Sequence, residues 1–285
     1  MKALVYDGPK VVSYREVRDP IPNQDNLLIK IKAVGICGSD IHAYLGHDDR
    51  RPAPLILGHE ASGTISGGNR DGERVTINPL VSCGTCLACC SGRENICPNR
   101  QIISMPPREG AFAQYVTMPE RNLVAVPSDY CLQKAALVEP LAVGWHTAKL
   151  AVRATDISME KKALVIGGGA IGLATALALK AMGIDDIVIS EFNPLRREYL
   201  REHIDAKVVE KTDASFPIIV DAVGFGSTRA IASQLVSPGG VIAHVGLGDN
   251  TDGLDVRHIT LQDITFIGTY TYTAQDFKDT AEALF

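Results

Sequence analysis

Aromatic side chains are scarce in this 285-residue sequence, at 6% with a single Trp, and neither sign of charge dominates: 28 Lys and Arg face 33 Asp and Glu, for a formal net charge of -5. These shortages leave neither a basic stripe to neutralise phosphates nor many rings to stack bases, so no nucleic-acid partner is expected. Long hydrophobic runs are missing too. The longest uncharged stretch, between Lys162 and Lys180, falls short of the ~20 apolar residues of a spanning helix and holds Gly167, Gly168, Gly169 and Gly172 together with Thr175. At the start, Asp7 interrupts Met1-Lys2-Ala3-Leu4-Val5-Tyr6 before a secretory core of ~7–15 residues can form. No membrane anchor and no export are expected. What is present, 46% hydrophobic and 21% charged residues, suits a chain that removes roughly three quarters of its unfolded surface from water, in about two domains.

The first half reads as strands and loops. Leu27, Ile29, Ile31 and Ala33 alternate with Leu28, Lys30, Lys32 and Val34, a period near two, and eleven prolines between Pro9 and Pro127 leave little room for long helices. Ala and Leu then dominate residues 132–152, a helical composition. Beyond it, strands are expected at 163–166, 186–190, 207–209, 218–221, 241–245 and 264–268, with helices at 173–182 and 196–202 between them. Strand alternating with helix predicts a parallel, doubly wound sheet. The expected domains are 1–152 and 153–285.

Val165-Ile166-Gly167-Gly168-Gly169-Ala170-Ile171-Gly172-Leu173 is a GxGxxG turn after an apolar strand and before a helix. Gly167 permits the tight turn, Gly169 lets backbone approach a pyrophosphate, and Gly172 lets helix pack on strand. Glu191 closes the next apolar strand, where an acid meets the ribose hydroxyls and repels a 2′-phosphate, so NAD is favoured over NADP; Arg196 and Arg197 follow it.

Seven cysteines are present, and five crowd between Cys83 and Cys97, which in a chain without export signals reads as metal binding in a reducing cytoplasm. Cys83, Cys86, Cys89 and Cys97 suit a structural zinc with no open position; Cys90 competes with Cys89, and an iron–sulfur cluster or a disulfide loop is the rival. A dispersed set, Cys37 in Gly35-Ile36-Cys37-Gly38-Ser39-Asp40-Ile41-His42, His59 and Glu60 after Gly58, and Glu139, supplies one sulfur, one imidazole and carboxylates, as an open catalytic zinc site requires. Cys131 and His146 are expected to support packing, and His47 to lie on a solvated loop.

With these motifs in this order, the sequence resembles the zinc-dependent medium-chain dehydrogenase/reductase family over nearly its whole length; Val138-Glu139-Pro140 is similar to the polyol, butanediol and threonine dehydrogenase branch. The resemblance implies a GroES-like β-barrel catalytic domain beside a Rossmann domain, with the active site in the cleft between them. It also implies oxidation of a secondary alcohol or polyol to a ketone, with hydride transfer to NAD. Cys37, His59 and Glu60 become the first zinc ligands, with Glu139 as an exchangeable ligand or substrate contact. Ser39 and His42 match the proton relay, and Ile171, Glu191 and Arg196 match dinucleotide contacts. A homodimer or homotetramer is implied, the strand near 264–269 resembling the family's dimerisation edge.

Two segments are shorter than the family's, after Ser66 and between Lys211 and Phe216. The sequence also stops at Phe285, so the family's C-terminal return segment is expected to be absent, the chain being either short or a fragment. The alternative function is a catalytically silent zinc- and dinucleotide-binding redox sensor, which needs neither Ser39 and His42 nor an open metal position. A zinc module binding RNA is opposed by the charge.

Overall fold

A computed structural model describes residues 1–285. It divides into two compact units, Met1–Glu139 with Thr273–Phe285, and Pro140–Tyr272.

The first unit is β-rich: β1 (Lys2–Gly8), β2 (Val11–Glu16), β3 (Asn26–Gly35), α1 (Gly38–Tyr44), β4 (Leu55–Ile56), β5 (Glu60–Ile65), β6 (Arg74–Ile77), β7 (Leu80–Val81), α2 (Leu87–Cys90), β8 (Gln101–Ile102), β9 (Tyr115–Pro119), β10 (Leu123–Ala125) and α3 (Leu132–Ala135). All pairings are antiparallel, in sheets ordered β10-β6-β5-β3-β9, β2-β1-β4 and β7-β8. Residues 112–114 join the two larger sheets: Leu4 N–H donates to the Phe112 carbonyl at 2.8 Å, and Ile31 N–H to the Gln114 carbonyl at 2.9 Å. The alternation read in β3 is real, with Ile29 buried and Lys30 and Lys32 exposed. Ile29, Ile65, Val75, Ile77 and Met118 form the core, each such side chain stabilising the fold by roughly 1.5–3 kcal/mol.

A long helix, α4 (Val138–Ala154), contains the division between the units. Pro140 sits in its first turn, where no intrahelical N–H bond is lost. The second unit continues with β11 (Lys162–Ile166), α5 (Ala170–Ala181), β12 (Asp186–Ser190), α6 (Pro194–His203), β13 (Lys207–Val209), β14 (Phe216–Asp221), α7 (Gly226–Leu235), β15 (Val236–His244), α8 (Val256–Leu261) and β16 (Thr265–Gly268). Its six strands are all parallel in the order β13-β12-β11-β14-β15-β16, so the chain reverses direction between β11 and β14. Neighbouring residues of one strand face two cores, Leu164 and Ile166 one, Ala163 and Val165 the other, as a sheet covered on both sides demands.

Two expectations need correcting. The boundary falls at 139/140, not 152/153, because Ala148 and Ala151 of α4 pack with α5 and β11. A return segment does exist: α9 (Ala274–Leu284), capped by Thr273 and Asp276, belongs to the first unit, where the Phe285 ring lies 4.8 Å from that of Tyr130.

Candidate active site

Cys37, His59 and Glu60 come together because β3 and β5 pair. A register shift between Ile31 and Ala33 re-aims the end of β3, so that Gly35 lies opposite Glu60 and the turn into α1 delivers Cys37 as its N-cap. A Cβ on Gly35 would stand 2.0 Å from Glu60 Oε2, so only glycine leaves room for that carboxylate. The candidate ligand atoms of the three residues lie within 4.8 Å of one another, with His59 and Glu60 buried and Cys37 half-buried.

Asp40, which the sequence reading left without a role, organises the cluster. Its buried carboxylate accepts the N–H groups of Cys37 at 3.0 Å and Gly58 at 3.1 Å, and lies 3.6 Å from His59 Nδ1. Ser104 Oγ stands 3.3 Å from the same nitrogen. With Nδ1 so engaged, Nε2 is the imidazole atom left for a metal, the arrangement in which a carboxylate orients a ligating histidine. The signal was local: an acid three residues after the N-cap of α1 is a capping spacing.

The electrostatics ask for a cation. Burial, reinforced by the Glu139 charge, pushes the Glu60 carboxyl up to about 7. Burial works against a charged His59, but its bonds with Asp40 and Cys37 and the charge of Glu139 win and hold it well above the ordinary histidine range. Asp40 is pulled below the carboxylate range by His59 and the two amides, against the opposing effect of burial. A sulfur, an imidazole and a carboxylate, with negative charge in excess, fit a divalent zinc with one position open. Glu139, buried in the first turn of α4, lies outside the set within 4.8 Å, yet its charge acts on both His59 and Glu60. Ser39 is half-buried and His42 exposed, one turn apart on α1.

The four-cysteine loop closes on itself. Sγ separations are 3.9 Å for Cys83–Cys89, 3.4 Å for Cys86–Cys89 and 3.5 Å for Cys83–Cys97, far beyond a disulfide bond and close to the ~3.8 Å edge of a tetrahedron with ~2.3 Å zinc–sulfur bonds. Amide groups of Thr85 and Cys86 draw the Cys83 thiol down to about 5, favouring the thiolate. Cys90 is exposed and directs its sulfur to the Thr85 carbonyl at 3.6 Å, outside the cluster. Cys131 is exposed as the N-cap of α3, so the expectation that it supports packing fails; His146 is buried in α4.

In the second unit the glycine turn follows β11. Gly167 adopts φ +97°, and a Cβ on Gly172 would meet the Gly167 carbonyl at 1.8 Å, so helix and turn are in backbone contact. At Gly169, the N-cap of α5, the corresponding space is open, and half-buried Ile171 follows. Glu191 directly follows β12, buried, with Oε2 accepting from Gly168 N–H at 2.8 Å and Oε1 from Asn193 N–H at 2.8 Å. Each oxygen keeps a lone pair for a further donor. Arg196 Nη1 lies 3.7 Å from Glu191, whereas Arg197 is spent on Glu210 and on backbone carbonyls. Gly167, Gly169, Glu191, Phe192, Arg196 and Val223 line a cavity of about 710 Å³. It lies at the carboxyl ends of the strands beside the β11/β14 reversal, where open α/β sheets bind nucleotides.

Residues 23–128 match the family model described as alcohol dehydrogenase GroES-like domain, and residues 170–285 that described as zinc-binding dehydrogenase. The chain is 34% identical to sorbitol dehydrogenase of Bacillus subtilis (strain 168), over 95% of this chain and 82% of the relative. It is 32% identical to L-galactonate-5-dehydrogenase of Escherichia coli (strain K12), over 97% and 85%. A crystal structure described as a short chain alcohol dehydrogenase from E. coli CFT073, complexed with NADH, superposes with a TM-score of 0.89 at 27% identity, over 100% of this chain and 87% of that one.

Proposed function

Because this chain belongs to the zinc-binding dehydrogenase family, its activity is zinc- and NAD-dependent oxidation of an alcohol or polyol, and we propose that Cys37, His59 and Glu60 hold the catalytic zinc. The observation that carries this assignment is their convergence within 4.8 Å, with Asp40 behind His59. When bound, zinc supplies the Lewis acidity that makes a carbinol O–H acidic near neutral pH. Ser39 accepts the hydroxyl proton as it gives up its own towards His42, and His42, exposed on the next turn of α1, releases a proton to water, an exchange suited to an imidazole. Glu139 either contacts a substrate hydroxyl or exchanges with Glu60. Cys83, Cys86, Cys89 and Cys97 hold the structural zinc and do no chemistry.

The turn at Gly167, Gly169 and Gly172 takes the pyrophosphate at the α5 N-terminus, with Ile171 beside it; Glu191 accepts the adenosine ribose hydroxyls, and Arg196 flanks them. The Glu191 carboxylate supports preference for NAD, since a 2′-phosphate would be repelled. Glu139 supports a secondary alcohol or polyol as substrate. No helix is long and apolar enough to cross a membrane. The unbridged cysteines support a cytoplasmic setting, and the open outer edge of β16, carrying exposed Phe266, supports a homodimer or homotetramer.

The test is zinc content and NADH formation across secondary alcohols and sugars. Cys37→Ser should remove one zinc of two per chain and abolish turnover while NADH still binds. One zinc per chain, unaffected by Cys37→Ser, refutes the assignment and favours a silent sensor.

A further inference from the structure

The C-terminus of α1 brings two histidines together. Gly46 takes φ +80°, its N–H donates to the Ala43 carbonyl at 2.9 Å, and the His47 N–H donates to the His42 carbonyl at 2.9 Å. Such a pair of bonds closes a helix in the Schellman manner, with glycine in the left-handed position and the side chains on either side of the closing bond set against each other, ordinarily as an apolar contact. Here those two side chains are His42 and His47, with ring centroids 6.4 Å apart and planes at 65°. The turn is also held from outside: a Cβ on Gly46 would stand 2.8 Å from Pro9 Cγ, and Lys10 N–H donates to the Tyr44 carbonyl at 2.6 Å.

Both imidazoles are exposed, and neither makes a hydrogen bond within the protein. Of the acids that follow, Asp48 is committed to Arg50 and Arg51, whereas Asp49 is exposed and forms no ion pair. Two imidazoles, with a carboxylate two residues on, suit divalent transition metals; magnesium and calcium ask for oxygen ligands throughout. With Zn–N bonds of ~2.0–2.1 Å, two imidazoles on one tetrahedral zinc have ring centroids ~5.3 Å apart, so rotation of two unconfined side chains through ~1 Å completes the pair.

We propose that His42 and His47 form a third metal site, which takes zinc or a similar transition ion from solution more weakly than the two zinc centres, and that the bound ion inhibits the enzyme by withdrawing His42 from proton transfer. The inhibition, though not the site, rests on the relay reading of His42. A nitrogen lone pair given to the metal cannot receive a proton from Ser39, and the other ring nitrogen then keeps its hydrogen, so the imidazole has no position left at which to exchange.

The test dialyses the holoenzyme against zinc-free buffer and titrates it with zinc chloride at about pH 7.5, following further bound zinc by equilibrium dialysis and turnover by NADH absorbance. One further zinc should bind per chain, and at a free concentration about ten times its Kd turnover should fall by about tenfold. His47→Ala, which removes no proton carrier, should turn over like the wild type without added zinc, bind the further zinc about tenfold or more weakly, and resist the inhibition. His42→Asn should lose the further zinc as well, and magnesium in place of zinc should leave the wild type unaffected. No further zinc in the wild type, or one bound equally by His47→Ala, overturns the site, as does equal inhibition of both proteins. A further zinc that depends on both histidines but leaves turnover unchanged overturns the inhibition and, with it, the relay role of His42.

Discussion

Gly35→Ala isolates the contribution of one missing atom. Gly35 φ lies outside the left-handed region, so alanine adopts its backbone without strain, and the effect comes from the added Cβ alone. That atom would stand 2.0 Å from Glu60 Oε2 and 3.1 Å from both Cβ and Cδ of Glu60. Relief requires the carboxylate to retreat by roughly 1 Å or more, and a displacement of that size in a catalytic constellation costs about 10²-fold in rate. Overpacking adds a stability loss of about 1–3 kcal/mol. The assay is threefold: zinc per chain by mass spectrometry, kcat/KM by NADH absorbance, and NADH affinity by calorimetry. Zinc should fall from two towards one per chain, kcat/KM by about 10²-fold, and NADH affinity by less than threefold, since the nucleotide groove lies wholly in the second unit. A folded variant with both zincs and undiminished turnover would mean that Glu60 does not belong to the catalytic cluster.

Asp40→Asn keeps the shape but removes the charge behind His59; zinc affinity at the catalytic site should drop by about 10–100-fold with NADH binding intact, and an unchanged affinity contradicts the orienting role. Cys97→Ser should lower Tm and release one zinc, leaving the other in place; a Tm equal to wild type would show the loop to be dispensable. In the metal-free protein Glu60 titrates at about 7 rather than 4.5, so its proton stabilises the native state below 4.5. That contribution is lost as pH rises through about 7, by roughly 3 kcal/mol, and His59 loses its own as pH climbs through its raised value. Zinc needs the deprotonated ligands, so the Tm gain on adding zinc to chelator-stripped protein should widen from about pH 5 to pH 8, and a gain independent of pH would oppose this.

The second unit was legible because its strands are short apolar runs between turn residues: all six expected strands exist, with β14 and β15 extended at their starts to Phe216 and Val236. The division between units was not legible, because it falls inside an Ala-rich helix whose proline sits in the tolerant first turn and marks no break. The return helix α9 escaped notice for a related reason. Its amphipathic face, with Phe277 and Ala281 buried, is evident only once the first unit is there to receive it.

Sites followed the same division between local and long-range information. The four cysteines of the closed loop fall within fifteen residues, so spacing alone marks them, and the structure adds only that Cys90 stands aside. The catalytic set depends instead on the β3/β5 register and its bulge, which no periodicity reveals, and Ser104 reaches His59 across 45 residues of sequence. The shortened segment before Phe216 shows most clearly what a sequence withholds. Its brevity is visible as a count, but that Lys211 and Thr212 line the same cavity as Gly167 and Glu191 follows only from the strand order that brings the carboxyl ends of β11, β12 and β13 side by side.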